Sequence, residues 1–174
     1  NLPDLDLCHP WELDASGAID LAKRCEAAGL ATDQRIRNSE GASVSTHRKL
    51  RVFGNSHGFV GGYPSTSHSV SCVVLGQDDD DMQRDYWYTA ARDWRALEDI
   101  EEVGRKAARK AVERLGAGKL STRKAPVLFA PDLARGLVGH FVGAIGGTAQ
   151  YRRSSFLLDA RGQAHTVAQR LAKA

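Results

Sequence analysis

From His68 to Leu75 the chain alternates, and Val70, Cys72 and Val74 fall on one face. A two-residue period with one apolar face belongs to a strand buried on one side only, which antiparallel hairpins produce. The neighbouring segments repeat the pattern. Asp33 to Asn38 reads as a first strand, Ser39-Glu40-Gly41 as a turn, Val44 to Phe53 as a second strand and Phe59 to Tyr63 as a third. Asp78 to Asp81 marks a further turn, and Arg84 to Trp94 returns with Tyr86, Tyr88 and Trp94. Residues 31–95 are therefore expected to form an antiparallel β section.

Helical periods flank that section. Asp14 can cap a helix running to about Ala28, with Ile19, Ala22, Cys25 and Ala28 on one side and Gly29 as its stop, which makes residues 1–30 an N-terminal helix segment. Glu98 to Leu115 carries acids first and bases later, the order that suits a helix dipole, and Glu101→Arg105 and Glu102→Lys106 are favourable i,i+4 pairs. Gly116 and Gly118 end it. Ala125 to Ala130 is expected as a short buried strand, Pro131-Asp132 as a helix start, and Ser155 to Leu158 as another strand. Residues 96–174 then form a helix-strand-helix section. Hairpins and helices in separate blocks give an α+β class, as one domain or as part of a longer chain.

The composition excludes little. A net charge of +3 permits acidic or nucleic-acid partners without indicating them. Cys8, Cys25 and Cys72 are odd in number and lack a C-x-x-C pair, which argues against a disulfide scaffold or zinc ribbon and fits a reducing, cytoplasmic setting. The opening Asn1-Leu2-Pro3-Asp4 has no initiator Met and no signal region, and reads as a portion of a longer protein. The most apolar run, Leu133 to Ala149, contains Arg135 and His140 and is shorter than the ~20 residues a membrane span needs, so no membrane association is expected.

Five motifs could carry chemistry. Gly54-Asn55-Ser56-His57-Gly58 matches G-x-S-x-G, but a nucleophile elbow needs a helix after it, and Phe59-Val60-Gly61-Gly62-Tyr63 is too glycine-rich to supply one; a hairpin turn explains the same residues. His47, His57 and His68 share the β section and could converge on a metal, although no spacing requires it. The Asp78–Asp81 run lacks the D-x-[DN]-x-[DN]-G ion-loop pattern and reads as a solvated turn. Arg105, Lys106, Arg109, Lys110 and Arg114 could face phosphates, or could be the exposed bases of a helix end; with no interleaved aromatic, nucleic acid is not the expected partner. His140 falls on or beside an apolar stripe of Leu133, Leu137, Phe141 and Ala144, where a packing role is the expectation. Gly136, Gly139 and Gly143 each cost about 1 kcal/mol relative to alanine in a helix, which suggests close approach by another backbone.

Seven stretches together carry a family resemblance. They are Asn38–Gly41, Val52–Gly58, Met82–Tyr86, Lys119–Thr122, Ala125–Val127, Gly139–Ile145 and Tyr151–Asp159. From about Leu5 to Asp159 the chain resembles the TldD/PmbA family, on its PmbA (TldE) branch, while Gln163 to Ala174 departs from the pattern. The resemblance implies a soluble bacterial peptidase complex in which a TldD subunit carries H-E-x-x-x-H on a helix, binds the metal (zinc by expectation) and cuts peptides, while a PmbA-type subunit pairs with it. The family is associated with maturing peptide antibiotics, degrading an antitoxin and, by name, modulating DNA gyrase. Laid on this chain, the first motif histidine is His140, the glutamate position holds Phe141 and the second histidine position holds Ile145. Phenylalanine cannot take a proton from water and isoleucine offers a metal no lone pair. The resemblance therefore implies no catalytic residue, metal ligand or cofactor in this chain, a TldD-type partner that holds the metal, peptide substrates, and room for a homo-oligomer in isolation. The alternatives are a hydrolase acting through Ser56 or the histidines, and a gyrase-linked nucleic-acid binder. Phe141 and Ile145 would fill with apolar volume what an active relative keeps polar, contributing roughly 1.5–3 kcal/mol each if fully buried.

Overall fold

The computed structural model describes residues 3–159 and 161–163, and they form two compact units, one up to Lys119 and one from Leu120. In the first unit, α1 (Ala15–Leu30) precedes β1 (Ile36–Gly54), β2 (Val60–Asp78) and β3 (Asp81–Ala91); a 3₁₀ turn at Trp94–Ala96 leads into α2 (Ile100–Glu113). The sheet is antiparallel in the order β1-β2-β3. Burial in β2 alternates from Thr66 to Gly76, with Val70, Cys72 and Val74 fully buried, as the two-residue period predicts. These three side chains meet Cys25 of α1 and Val103, Ala107, Ala108 and Ala111 of α2, so both helices cover one face of the sheet.

Local chemistry sets the element ends. Asp14 accepts a hydrogen bond from the Gly17 N–H at 2.7 Å and starts α1, while Asp99 accepts from the Glu102 N–H at 2.9 Å and starts α2. Gly29 does not stop α1. It lies inside the helix, against Gly104 of α2: a Cβ on Gly104 would fall 2.0 Å from the Cys25 carbonyl oxygen, and one on Gly29 would fall 3.2 Å from the Gly104 carbonyl oxygen. Only glycines let the helices approach so closely.

The five expected strands are three long ones. Ser39-Glu40-Gly41 is a β-bulge rather than a turn: the ladder shifts between Ser39↔Val74 and Gly41↔Val73 and then continues. Gly41 takes φ +99 there, which glycine adopts readily. Phe59–Tyr63 and His68–Leu75 are likewise one strand, because the backbone stays paired with β1 through Pro64. The α2 helix, grouped by sequence with the third section, belongs to the first unit because its alanine face closes the core.

The second unit contains α3 (Pro131–Ile145) and a short α4 (Gly147–Tyr151). Pro131 sits at the start of α3, where its missing N–H costs nothing. The expected strand at 125–130 does not form. Its residues are irregular and exposed, with Leu128 98% accessible, because no described strand lies beside them to take their hydrogen bonds. Ser155–Leu158 is a turn rather than a strand: Leu157 N–H donates to Ser155 Oγ, which donates in turn to the Ala144 carbonyl at 2.7 Å. The divergent tail expected from Gln163 onward lies, apart from Gln163, outside the described residues.

Candidate functional site

The α3 helix carries the three positions laid over the metal motif. His140 is exposed, Phe141 half-buried and Ile145 40% accessible. Among the described residues, no three His, Cys, Asp or Glu side chains are grouped to hold a metal ion, and α3 offers one imidazole beside two hydrocarbon groups. That donor set does not fit a catalytic zinc. The expected core-facing stripe is corrected here: Leu133 and Leu137 are 64% and 53% accessible, and Ala144 is the one buried residue of the helix. The stripe's spacing is right, but no described element of this unit lies over it, so Phe141 and Ile145 are not fully buried. A Cβ on Gly136, Gly139 or Gly143 would meet no heavy atom within 4 Å, so among the described residues nothing packs against the three glycines.

The G-x-S-x-G stretch is the tip of the β1–β2 hairpin. Asn55 Oδ1 accepts from the N–H groups of His57 and Phe59, Asn55 N–H donates to the Phe59 carbonyl, and Gly58 takes φ +81. These bonds make a turn, and the chain leaves Ser56 as a strand. The helix that would strain a serine into a nucleophile is not there.

The three histidines do not converge. Thr46 pairs with His68 across the ladder, so His47 lies one residue out of phase and faces the other side. His57 is roughly 23 Å farther along the hairpin than His47 at ~3.3 Å per residue. His68 is buried and structural: its ring nitrogens bond Thr46 Oγ1 at 2.8 Å and the His9 carbonyl at 2.9 Å, and the Trp11 ring meets it edge-on. Trp11 stacks on Trp94, so His68 ties the N-terminal segment to the sheet.

The basic helix is occupied internally. Arg105 pairs with Asp99, Glu101 and Glu102, Lys106 with Glu98, Arg109 with Glu102, and both Lys110 and Arg114 reach the largely buried Asp85. Glu102 pairs with Arg105 and Arg109 rather than with Lys106 as its spacing suggested, and the guanidiniums hold its carboxyl below the usual range. Arg24 of α1 does the same for Glu101. None of these five bases lacks a carboxylate, which removes the feature that pointed to phosphates.

Different cations are unpaired among the described residues. Arg48, Lys49 and Arg51 stand exposed on the outer half of the β1–β2 hairpin, interleaved with Leu50, Val52 and Phe53. The strand from Val44 to Phe53 was legible in the sequence; that Leu50 and Val52 at its outer end would lie exposed was not.

Comparison with known proteins places this geometry. Residues 8–115 match the PmbA/TldA metallopeptidase central domain. The chain is 52% identical over 161 residues to Metalloprotease PmbA of Escherichia coli O157:H7, covering 92% of this chain and 36% of that protein. It is 45% identical over 161 residues to the Metalloprotease PmbA homolog of Haemophilus influenzae, with the same coverage of each. The chain thus spans about a third of the length of the curated relatives it matches. A match of 161 residues within 174 necessarily includes α3. Among solved structures, a Bacteroides thetaiotaomicron protein titled a modulator of DNA gyrase superposes with TM-score 0.81 at 26% identity, over 90% of this chain and 36% of that one. A Thermotoga maritima protein of similar title shares the fold at TM-score 0.78 and 17% identity, over 94% of this chain and 45% of that one. The chain belongs to the PmbA/TldA metallopeptidase family, the TldD/PmbA family that its motifs resemble.

Proposed function

We propose that this chain is part of a catalytically silent PmbA-type subunit, which pairs with a TldD-type metallopeptidase in the cytoplasm and acts in peptide maturation and proteolysis. The observation that carries the proposal is α3 itself. In a chain of this family, the helix laid over the metal motif holds His140 with Phe141 and Ile145, and neither of the latter can ligate a metal or move a proton. The metal, zinc by expectation, then belongs to the partner, and peptides are the substrates. The open apolar side of α3, with Gly136, Gly139 and Gly143, offers a low surface that another backbone can approach. No helix among the described residues is long and apolar enough to cross a membrane.

The test uses the full-length protein, alone and mixed with a TldD-type partner, measuring association, bound metal and cleavage of an unfolded peptide. The proposal expects no stoichiometric zinc and no cleavage from the protein alone, whether monomer or homo-oligomer, and cleavage once the partner is added. Metal-dependent cleavage by the isolated, metal-analysed protein would overturn it. That result would favour a second reading, drawn from the name of the Escherichia coli relative: a metalloprotease in its own right, with ligands outside the residues described here.

A further inference from the structure

Two of the three cysteines meet inside the core of the first unit. Cys25 of α1 and Cys72 of β2 are both fully buried and belong to the same apolar cluster. Neither has a part in the function proposed above.

Their meeting follows from how α1 lies on the sheet. A Cβ on Gly29 would fall 3.4 Å from Val74 Cγ1, so that turn of the helix rests on Val74 with no side chain of its own between them. Cys25 lies one turn before Gly29 on the same helix face, about 6 Å back along the axis at 1.5 Å per residue. Cys72 lies two residues before Val74 on the same sheet face, about 6.6 Å back along the strand. The two steps nearly match, and the Cys25 thiol hydrogen-bonds the Cys72 sulfur. Glycine at position 29 thus holds α1 low enough for two short thiols to touch across the layer.

In the closed structure burial keeps this pair from reagents in solution. The cover over it is thin. Of the sixteen residues of α1, only Cys25 and Gly29 are buried in this unit. A helix that buries so little of itself opens locally at a smaller cost than the sheet beneath it. The hydrogen bond from Cys25 favours the thiolate form of Cys72, which makes Cys72 the nucleophile of the two.

We propose that Cys25 and Cys72 are a peroxide-sensitive pair, which closes a disulfide between α1 and β2 and clamps the helix onto the sheet. The Cys72 thiolate attacks one oxygen of hydrogen peroxide. The O–O bond breaks, Cys72 becomes a sulfenic acid, and the departing hydroxide takes up the proton that Cys72 released, giving water. The Cys25 sulfur then attacks the Cys72 sulfur; the S–S bond forms, the S–O bond breaks, and the hydroxyl leaves with the Cys25 proton as a second water. The two thiols together lose two electrons, and one peroxide is reduced to two waters. The bond closes a loop from residue 25 to residue 72, a span over which a cross-link restrains the open chain strongly. Oxidation therefore fixes the element of this core that buries least.

The test uses the full-length protein carrying Cys8→Ser, which removes the more exposed thiol. After treatment with hydrogen peroxide, its peptides are mapped without reduction by mass spectrometry. The expected product is a cross-linked pair of peptides joining Cys25 to Cys72, absent after dithiothreitol. Brief trypsin treatment of the folded protein reads the clamp itself: cleavage after Lys23 or Arg24 is expected to slow roughly tenfold or more on oxidation and to recover on reduction. In Cys25→Ala and Cys72→Ala, peroxide should leave that cleavage rate unchanged; if one of these fails to fold, the other and the parent's cross-link map still decide. Cys25 and Cys72 remaining reduced, or oxidised to sulfinic acid without a cross-link, would overturn the proposal. So would a disulfide from either to a different cysteine, or a Cys25–Cys72 cross-link that leaves the trypsin cleavage rate unchanged.

Discussion

Replacing Gly104 by alanine separates two physical effects of opposite sign. Gly104 lies inside α2, where alanine is favoured over glycine by about 1 kcal/mol in helix propensity. If propensity ruled, the substitution would stabilise. The structure predicts the reverse, because the new Cβ would fall 2.0 Å from the Cys25 carbonyl oxygen and 3.0 Å from the Gly29 nitrogen. Both are backbone atoms and cannot rotate away, so α1 and α2 must part by about 1 Å, a gap that forfeits a quarter to a half of the dispersion attraction of each facing contact. The contacts at risk are those of the closed core, Cys25 with Val103, Ala107 and Ala108. Overpacking of this kind costs about 1–3 kcal/mol, here at its upper end, which after the propensity gain leaves about 2 kcal/mol of destabilisation. A fall in melting temperature of about 4–8 °C corresponds to that loss. Urea unfolding followed by tryptophan fluorescence measures it directly. Two companions give the order: Gly29→Ala meets the Gly104 oxygen at 3.2 Å and should cost less, while Gly17→Ala meets chiefly the flexible end of Leu13 and should be nearly neutral. A Gly104→Ala protein as stable as the parent would refute the close helix crossing.

Three further outcomes follow from the same coordinates. The guanidinium of Arg35 pulls the Asp33 carboxyl from its ordinary 3.8 to about 2, and Arg84 holds the Glu40 carboxyl below its usual range. Carboxylates depressed in the folded state lend stability that is complete above their ordinary values and lost as pH falls through the folded ones. Urea midpoints should therefore drop between about pH 4 and pH 2, less steeply in Asp33→Asn; an unchanged slope in that variant would count against the pairing. His68→Leu leaves the His9 carbonyl and the Thr46 hydroxyl without partners and should cost about 1–3 kcal/mol, with faster proteolysis of the segment before α1. Full stability of His68→Leu would show the network to be incidental. Thiol labelling of the folded protein should modify Cys8 alone: Cys25 and Cys72 are fully buried, and the adjacent Cys72 sulfur together with burial pushes the Cys25 thiol up. Rapid labelling of all three would contradict the described core.

Much of this protein was determined by sequence alone, because the relevant forces act over a few residues. The alternation of Val70, Cys72 and Val74, the cap at Asp14, and Pro131 at the head of α3 each depend on neighbours in the chain, and each is found in the structure. The replacement of two motif residues by Phe141 and Ile145 was equally legible, since whether a side chain can donate a lone pair does not depend on the fold. Long-range packing decided the rest. Whether Ser39-Glu40-Gly41 turned or bulged depended on pairing with Val73 and Val74, more than thirty residues away. Gly29, which ends a helix by local rules, runs through one because Gly104 of a second helix lies against it. Arg109, Lys110 and Arg114 of α2 had no assigned partner in the sequence and proved to be paired with Glu102 and Asp85 once the helix lay on the sheet. Conversely, that Leu50 and Val52, on the core-facing row of β1, would lie exposed became visible only in the tertiary structure, where β1 and β2 stay paired beyond the last partner of β3. Periodicity tells which side of a strand is apolar; only the arrangement of the other elements tells whether that side is covered.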